Sequence, residues 1–181
     1  MQILLISLAI FLLLVLLSLL LSTLTTGMPP MPSHRKARLS LLSQIDALVG
    51  QQSSRCLMDL GSGWGHLVIP LARRYPQHQV IGYEVAFFPW LVSFLLKKAL
   101  KLNNLKLERK NFLEVDLQAA DLLVCYLMSP AMQQLSHKLS QQPKKPQWLL
   151  SHFFALPGYT PEQQLELTDF YRSPIYLYRL T

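Results

Sequence analysis

The residues best placed to do chemistry are Asp59-Leu60-Gly61-Ser62-Gly63-Trp64-Gly65-His66, where a short apolar run, Arg55 to Leu60, gives way to a helical pattern from His66 to Tyr75. Glycines at 61, 63 and 65 let the backbone turn sharply and let a ligand approach the amides with no Cβ in the way. Those N–H groups and the helix N-terminus offer a surface to a polar or anionic group. A dinucleotide loop needs G-x-G-x-x-G, and position 66 is His. The spacing here is G-x-G-x-G with an acidic residue two positions before the first glycine, which argues against a dinucleotide. Glu84 closes a second short run that starts at Gln79, 19 residues beyond Gly65. A carboxylate there can accept hydrogen bonds from both ribose hydroxyls of an adenosine bound across the first loop. Asn111 and Phe112 close a third run from Leu105, where an adenine would lie. They offer an amide partner and an aromatic edge, and core packing is the rival role for Phe112.

Other chemistries leave no trace. There is no H-E-x-x-H, no C-x-x-C and no G-x-S-x-G, so no metal, redox or nucleophile-elbow motif is read. Cys56 and Cys125 fall in apolar, strand-like runs and read as small buried hydrophobes in a reducing compartment.

These groups need a scaffold, and periodicity supplies one. A fourth run, Asp121 to Leu127, precedes a polar helix near Pro130 to Leu139, and a fifth spans Gln147 to Phe154. With a helix around Trp90 to Leu102, short buried strands alternate with helices, which predicts a parallel sheet with crossover helices on both faces. Pro70 is expected in the second turn of the first crossover helix, bending it. Leu167 to Tyr171 and Ile175 to Leu180 are separated only by Arg172-Ser173-Pro174 and should pair as an antiparallel hairpin. Ahead of the sheet, Leu39, Leu42, Ile45 and Val49 recur at helical spacing. They predict an amphipathic helix on the core, a membrane-surface helix being the rival.

The chain has 181 residues, 51% hydrophobic and 15% charged, with a net charge of +7. Those averages mix two unlike pieces. Ile3 to Leu21 is a run of 19 residues whose only polar side chains are Ser7 and Ser18, and such a helix matches the roughly 30 Å hydrocarbon thickness of a bilayer. Without residues 1–22 the hydrophobic share falls to roughly 47%, an ordinary soluble value. Disordered chains, polytopic transporters and disulfide-stapled modules are thereby excluded. The run has no preceding basic residue, is longer than a signal-peptide core and lacks a clear cleavage site, so it reads as an uncleaved anchor. Residues 1–26 are the expected anchor, 27–36 a proline-rich linker and 37–181 the catalytic domain. Arg35, Lys36 and Arg38 follow the span. They predict a single pass of the cell inner membrane, N-terminus out and domain cytoplasmic.

At these residues the chain resembles the class I, seven-strand S-adenosylmethionine-dependent methyltransferases: Asp59 to Gly65 matches their first motif, Glu84 their second-strand acid, and the terminal hairpin their last two strands. The resemblance covers roughly residues 40–181. With the N-terminal span, Pro89-Trp90-Leu91-Val92 and Leu156-Pro157-Gly158-Tyr159, it narrows to small membrane-anchored protein-lysine methyltransferases related to those of the mitochondrial adenine nucleotide translocase and the ATP synthase c subunit. The fold so implied is Rossmann-like and doubly wound, with five parallel strands and a C-terminal antiparallel hairpin. The implied cofactor is S-adenosyl-L-methionine, held by Asp59, Gly61, Ser62, Gly63, Gly65, Glu84, Asn111 and Phe112. The implied acceptor is a lysine of a membrane-associated protein, in a site lined by Trp64, Ser129, Pro130, Phe153, Pro157 and Gly158.

Methyl transfer from a sulfonium is an in-line displacement in which the protein positions the nucleophile and excludes water. No metal is needed. Cys125-Tyr126-Leu127-Met128-Ser129-Pro130 lacks the Asn/Asp-Pro-Pro-Tyr/Phe element of enzymes that methylate amide or adenine nitrogens. Tyr126 is the candidate for orienting the acceptor amine and His152 for taking its proton; strand-end packing is the plain role of each. The basic pairs Arg73-Arg74, Lys97-Lys98 and Lys144-Lys145 lie in different predicted elements without a recognition motif. They favour anionic lipid headgroups over nucleic acid. No oligomeric state is assigned. Two alternatives stay open: a methyltransferase for a lipid-soluble small molecule, and a non-catalytic membrane scaffold that kept the fold.

Overall fold

Nearly continuous apolar runs make strands that are buried on both faces. In a computed structural model, which describes residues 1–26, 35–49, 54–168 and 172–180, they assemble into one seven-stranded sheet. The order of elements is α1 (Gln2–Thr26), α2 (Arg35–Val49), β1 (Cys56–Leu60), α3 (Val68–Arg74), β2 (Gln79–Tyr83), α4 (Phe87–Ala99), β3 (Leu105–Glu108), β4 (Leu122–Cys125), α5 (Ser129–Gln141), β5 (Trp148–His152), β6 (Gln163–Glu166) and β7 (Pro174–Arg179). The strand order is β3-β2-β1-β4-β5-β7-β6, with β1 to β5 parallel and β7 antiparallel to both neighbours. From β1 the chain winds outward to β2 and β3, then returns to β4 and winds the other way. The switch point therefore falls between β1 and β4, whose carboxyl ends open the crevice where ligands bind in such sheets.

Register is set at both ends of this central pair. Asp59 lies beside Gly82 on one side and Val124 on the other. At the opposite edge the Arg55 guanidinium meets Asp121 Oδ1 at 2.8 Å, while Asp121 Oδ2 accepts the Cys56 N–H at 2.8 Å. Two apolar layers cover the sheet. On one face Leu57 and Val80 pack with α2, α3 and α4; on the other Met58 and Leu123 pack with Met132, Leu135 and Leu139 of α5. Each such buried side chain contributes about 1.5–3 kcal/mol.

Several local expectations are corrected. The glycine loop runs on through His66, so α3 starts at Val68 and Pro70 sits in its first turn, where an amide is unpaired in any helix and no bend follows. In α2, Ala37, Leu41, Leu42, Ile45 and Val49 are buried while Leu39 is 58% exposed; the buried stripe settles the helix on the core. This helix begins at Arg35, inside the expected linker, whose remaining residues 27–34 lie outside the described residues. The first hairpin strand is Gln163–Glu166, earlier than the expected Leu167–Tyr171, because Leu165 pairs with Ile175 and Leu167 only closes the turn toward Ser173. In α1, Gln2–Leu20 has a mean hydropathy of 3.3 and none of it is buried, which is long and apolar enough to cross a membrane by length and composition.

Candidate functional site

The loop after β1 is folded onto the end of β2. The N–H groups of Gly61 and Ser62 both donate to the Tyr83 carbonyl, at 3.0 and 2.9 Å, and Gly65 donates to Ser62. Glu84, only 8% exposed, completes the clasp. Its Oε2 accepts the Gly63 N–H and its Oε1 the Ala86 N–H, each at 2.8 Å. Each oxygen keeps acceptor capacity beyond these bonds, so the carboxylate is fixed without being used up. Burial raises its pKa, and the amides of Ala86 and Gly63 work against that rise by stabilising the charged form.

Asp59 lies beneath the loop. Its carboxyl is pushed up to about 7, chiefly by burial and secondarily by the charge of Glu84. Asp59 Oδ2 and Ser62 Oγ are buried and have no hydrogen-bonding partner among the described residues. Gly63, by contrast, faces open space, with no atom within 4 Å of where a Cβ would stand. Orphaned polar atoms are rare in folded proteins. Two of them below a loop with open space beside its central glycine, next to a fixed carboxylate, fit a polar ligand carrying a ribose and a charged end.

Asn111 and Phe112 do not end a strand as expected. β3 stops at Glu108, and Asn111 caps a single 3-10 turn, Phe112–Glu114, its Oδ1 accepting the Leu113 N–H at 3.0 Å. Phe112 is half-buried and packs with the α5-side core. Tyr126, His152 and Phe153 are brought together at the carboxyl ends of β4 and β5. The ring centroid of Tyr126 is 4.7 Å from that of His152 and 6.5 Å from that of Phe153. Phe154, not singled out from the sequence, stacks on Tyr126 at 6.4 Å with planes 23° apart. The Phe153-Phe154 pair at the end of the fifth run was the available signal. Phe153 adopts φ +73°, a left-handed conformation costing a branched or bulky residue roughly 1–2 kcal/mol. It is held there by its own N–H on Pro174 O at 2.7 Å and by Ser151 Oγ on Phe154 O at 2.6 Å. The result leaves an aromatic ring 37% exposed at the crevice.

This aromatic group borders the glycine loop, because Leu127 at the exit of β4 lies 3.2 Å from where a Gly61 Cβ would stand. Trp64 is half-buried within the loop, and Ser129 and Pro130 form the exposed first turn of α5. The Pro157 carbonyl is bound by Ser136 of α5 at 2.7 Å, and Gly158 takes φ +75°. Beyond them, Lys145 lies over the Tyr159 ring. Among the described residues no cluster of metal-ligating side chains occurs. A groove of about 500 Å³, lined among others by His78, Lys97, Asn104 and Lys106, lies at the opposite, N-terminal end of the strands.

A doubly wound sheet with only its last strand, β7, reversed, a glycine loop after β1 and an acid at the end of β2 define a class I S-adenosylmethionine-dependent methyltransferase. More narrowly, residues 59–163 match the ANTKMT methyltransferase domain, and the chain belongs to that family. A protein-lysine N-methyltransferase of Saccharolobus islandicus (strain REY15A) is 25% identical over 112 residues, covering 61% of this chain and 70% of the relative. Among solved structures, an RNA methyltransferase from Salinibacter ruber in complex with S-adenosyl-L-homocysteine superposes with a TM-score of 0.70 at 22% identity, covering 83% of this chain and 94% of the other. A magnesium protoporphyrin IX methyltransferase from Synechocystis with bound cofactor gives 0.61 at 19% identity, covering 78% of each. At those identities the likeness is one of fold.

Proposed function

We propose that the chain is a membrane-anchored protein-lysine N-methyltransferase acting on a membrane-associated protein. The observation that carries this reading is the aromatic cluster of Tyr126, His152, Phe153 and Phe154 on the same carboxyl-end side of the sheet as the Glu84-braced loop. The lysine-modifying relative supports the choice of acceptor. Bound S-adenosylmethionine supplies a methyl group on a sulfonium that a neutral amine can displace in line. Glu84 would accept from the ribose hydroxyls, Asp59 and Ser62 would receive the charged end, and the amides of Gly61 to Gly65 would line the approach. Asn111 and Phe112 would stand at the adenine.

On the acceptor side, a lysine ammonium must lose a proton before it can attack. An apolar, aromatic wall favours that loss by desolvating the charge. Tyr126 would orient the amine and His152 would take the proton, with Trp64, Ser129, Pro130, Phe153, Pro157 and Gly158 bounding the channel.

Residues 1–26 serve as the anchor, 27–36 as the linker and 37–181 as the domain, with the domain on the cytoplasmic side of the inner membrane. The hydroxyls of Ser7 and Thr23 are compatible with lipid, since each donates at 2.8 Å to the carbonyl four residues earlier, Ile3 and Leu19. Purified full chain, given cofactor labelled in its methyl group, is incubated with membranes lacking the protein. Label recovered as methyl-lysine after acid hydrolysis is the expected result. Label confined to the organic extract would replace this reading with the lipid-soluble acceptor.

A further inference from the structure

α4 is apolar on both sides. Inward, Pro89 and Ser93 are buried and Trp90 and Phe94 pack on the sheet core. Outward, Val92, Leu95, Leu96, Ala99 and Leu100 recur at the spacing of one helical face and all are exposed, the large ones by 37 to 57%. Phe87, 39% exposed, lies off this stripe, at the N-terminal end of the helix with its ring against Trp90. A helix apolar all round belongs in a core or in lipid. This one meets a core on one side only, and a contiguous apolar face of that kind marks an interaction surface.

Its rim says which kind. α4 contains no acidic residue. Lys97, Lys98 and Lys101 crowd its C-terminal end, while at the other end the Arg109 guanidinium sits 5.6 Å from the Phe87 ring centroid with Lys110 beside it. The nearby acid, Glu108, is engaged by Lys106 and Lys110. A stripe of leucines and a valine with cations at both ends of the helix is the make-up of a helix lying in the headgroup region of an anionic bilayer. α1, long enough to span that bilayer, contacts α4.

We infer that the outward face of α4 is a second membrane contact, which seats the domain flat on an anionic lipid surface. α4 begins just beyond Glu84 and runs back along β3. Seating it on the bilayer lays the strands along the membrane plane and opens the crevice sideways at headgroup depth. Acceptor lysines near the membrane surface are then in reach, and ones far out in the aqueous phase are not. The inference rests on the reading of α1 as an anchor, and the experiment separates the two.

Full chain carrying an environment-sensitive fluorophore at Leu96→Cys is reconstituted into vesicles of mixed anionic and zwitterionic phospholipid with nitroxide-labelled acyl chains. Gln134→Cys on α5 and Leu13→Cys in α1 serve as controls, and the labelled parent supplies the background from Cys56 and Cys125. The Leu96 label is expected to shift to the blue and to be quenched several-fold more than the Gln134 label. Zwitterionic vesicles, or the combined Lys97→Gln, Lys98→Gln and Lys101→Gln variant, should remove most of that quenching. A Leu96 label that stays water-like while the Leu13 label is quenched overturns the docking and keeps the anchor. Absence of quenching at both overturns both. A blue-shifted but unquenched Leu96 label means that protein covers the stripe, which also overturns lipid docking.

Discussion

The rings of Tyr126 and His152 lie 4.7 Å apart with planes inclined at 49°, at the carboxyl ends of the neighbouring parallel strands β4 and β5. Burial raises the Tyr126 phenol, so it is held protonated as a donor well above neutral pH. The oxygen of a neutral phenol can accept an N–H of the amine and so aim its lone pair at the methyl group, but a phenol that keeps its own proton is a poor base, which leaves proton removal to the imidazole. Tyr126→Phe keeps the stacking and removes only the hydroxyl. It is expected to lower kcat about 100-fold, the order of the cost of a misplaced reacting group, with S-adenosylhomocysteine affinity unchanged by calorimetric titration. An unaltered kcat would assign Tyr126 to packing alone.

Glu84 makes a more demanding prediction because both of its oxygens accept from amides, those of Gly63 and Ala86. Glu84→Gln turns one of these oxygens into an NH2 that faces an N–H donor. The expected cost is about 1–3 kcal/mol of stability from the buried mismatch. Cofactor affinity should also fall roughly tenfold or more, since each 1.4 kcal/mol is a factor of ten. Denaturant unfolding and calorimetric titration with S-adenosylhomocysteine read the two separately. Retained affinity would show that the ribose is held elsewhere.

Much of this arrangement was legible in the chain. Alternating runs and glycine punctuation expose the strands, and the Asp59 to Gly65 spacing together with Glu84 picks out the loop and the acid that the fold brings into contact. What stayed hidden depends on contacts remote in sequence. The left-handed turn at Phe153 is held by Pro174 on β7, and the shift of the first hairpin strand to Gln163–Glu166 follows from pairing with β7. Asn111 looked like the end of a strand because nothing in the local pattern announces that β3 ends at Glu108 and that a capped turn follows. The outward stripe of α4 was invisible for a different reason: with both faces apolar, periodicity cannot tell which one the sheet covers.

Two glycines of the same motif should respond differently to alanine. At Gly65 a Cβ would stand 2.8 Å from Ile69 and 2.9 Å from the Ser93 Cβ, with φ at +82°. Gly63 has φ +53° but open space around it. Gly63→Ala is therefore expected to cost only the left-handed backbone penalty, about 1–2 kcal/mol. Gly65→Ala adds overpacking between α3 and α4, roughly 1–3 kcal/mol more. Urea unfolding of the two variants tests the ordering, and equal losses would contradict it.

Asp59 links the site to pH. Its carboxyl is pushed up to about 7 by burial, with the Glu84 charge adding to the effect, against an unfolded value of about 4. Between those two values the folded chain keeps a proton that the unfolded chain has released, so stability falls as pH rises through that window and levels off above it. Asp59→Asn removes the titration. The variant should match the parent near pH 4 and exceed it at pH 8, by on the order of a few kcal/mol at most. Cofactor binding should run the opposite way in the parent. A charged ligand end that needs the ionised carboxylate binds more tightly above pH 7 than below it, and that dependence should vanish in Asp59→Asn. Thermal unfolding and S-adenosylhomocysteine titration at pH 5.5 and 8 check both signs at once, and a parent flat in both would mean that Asp59 is already ionised across the range.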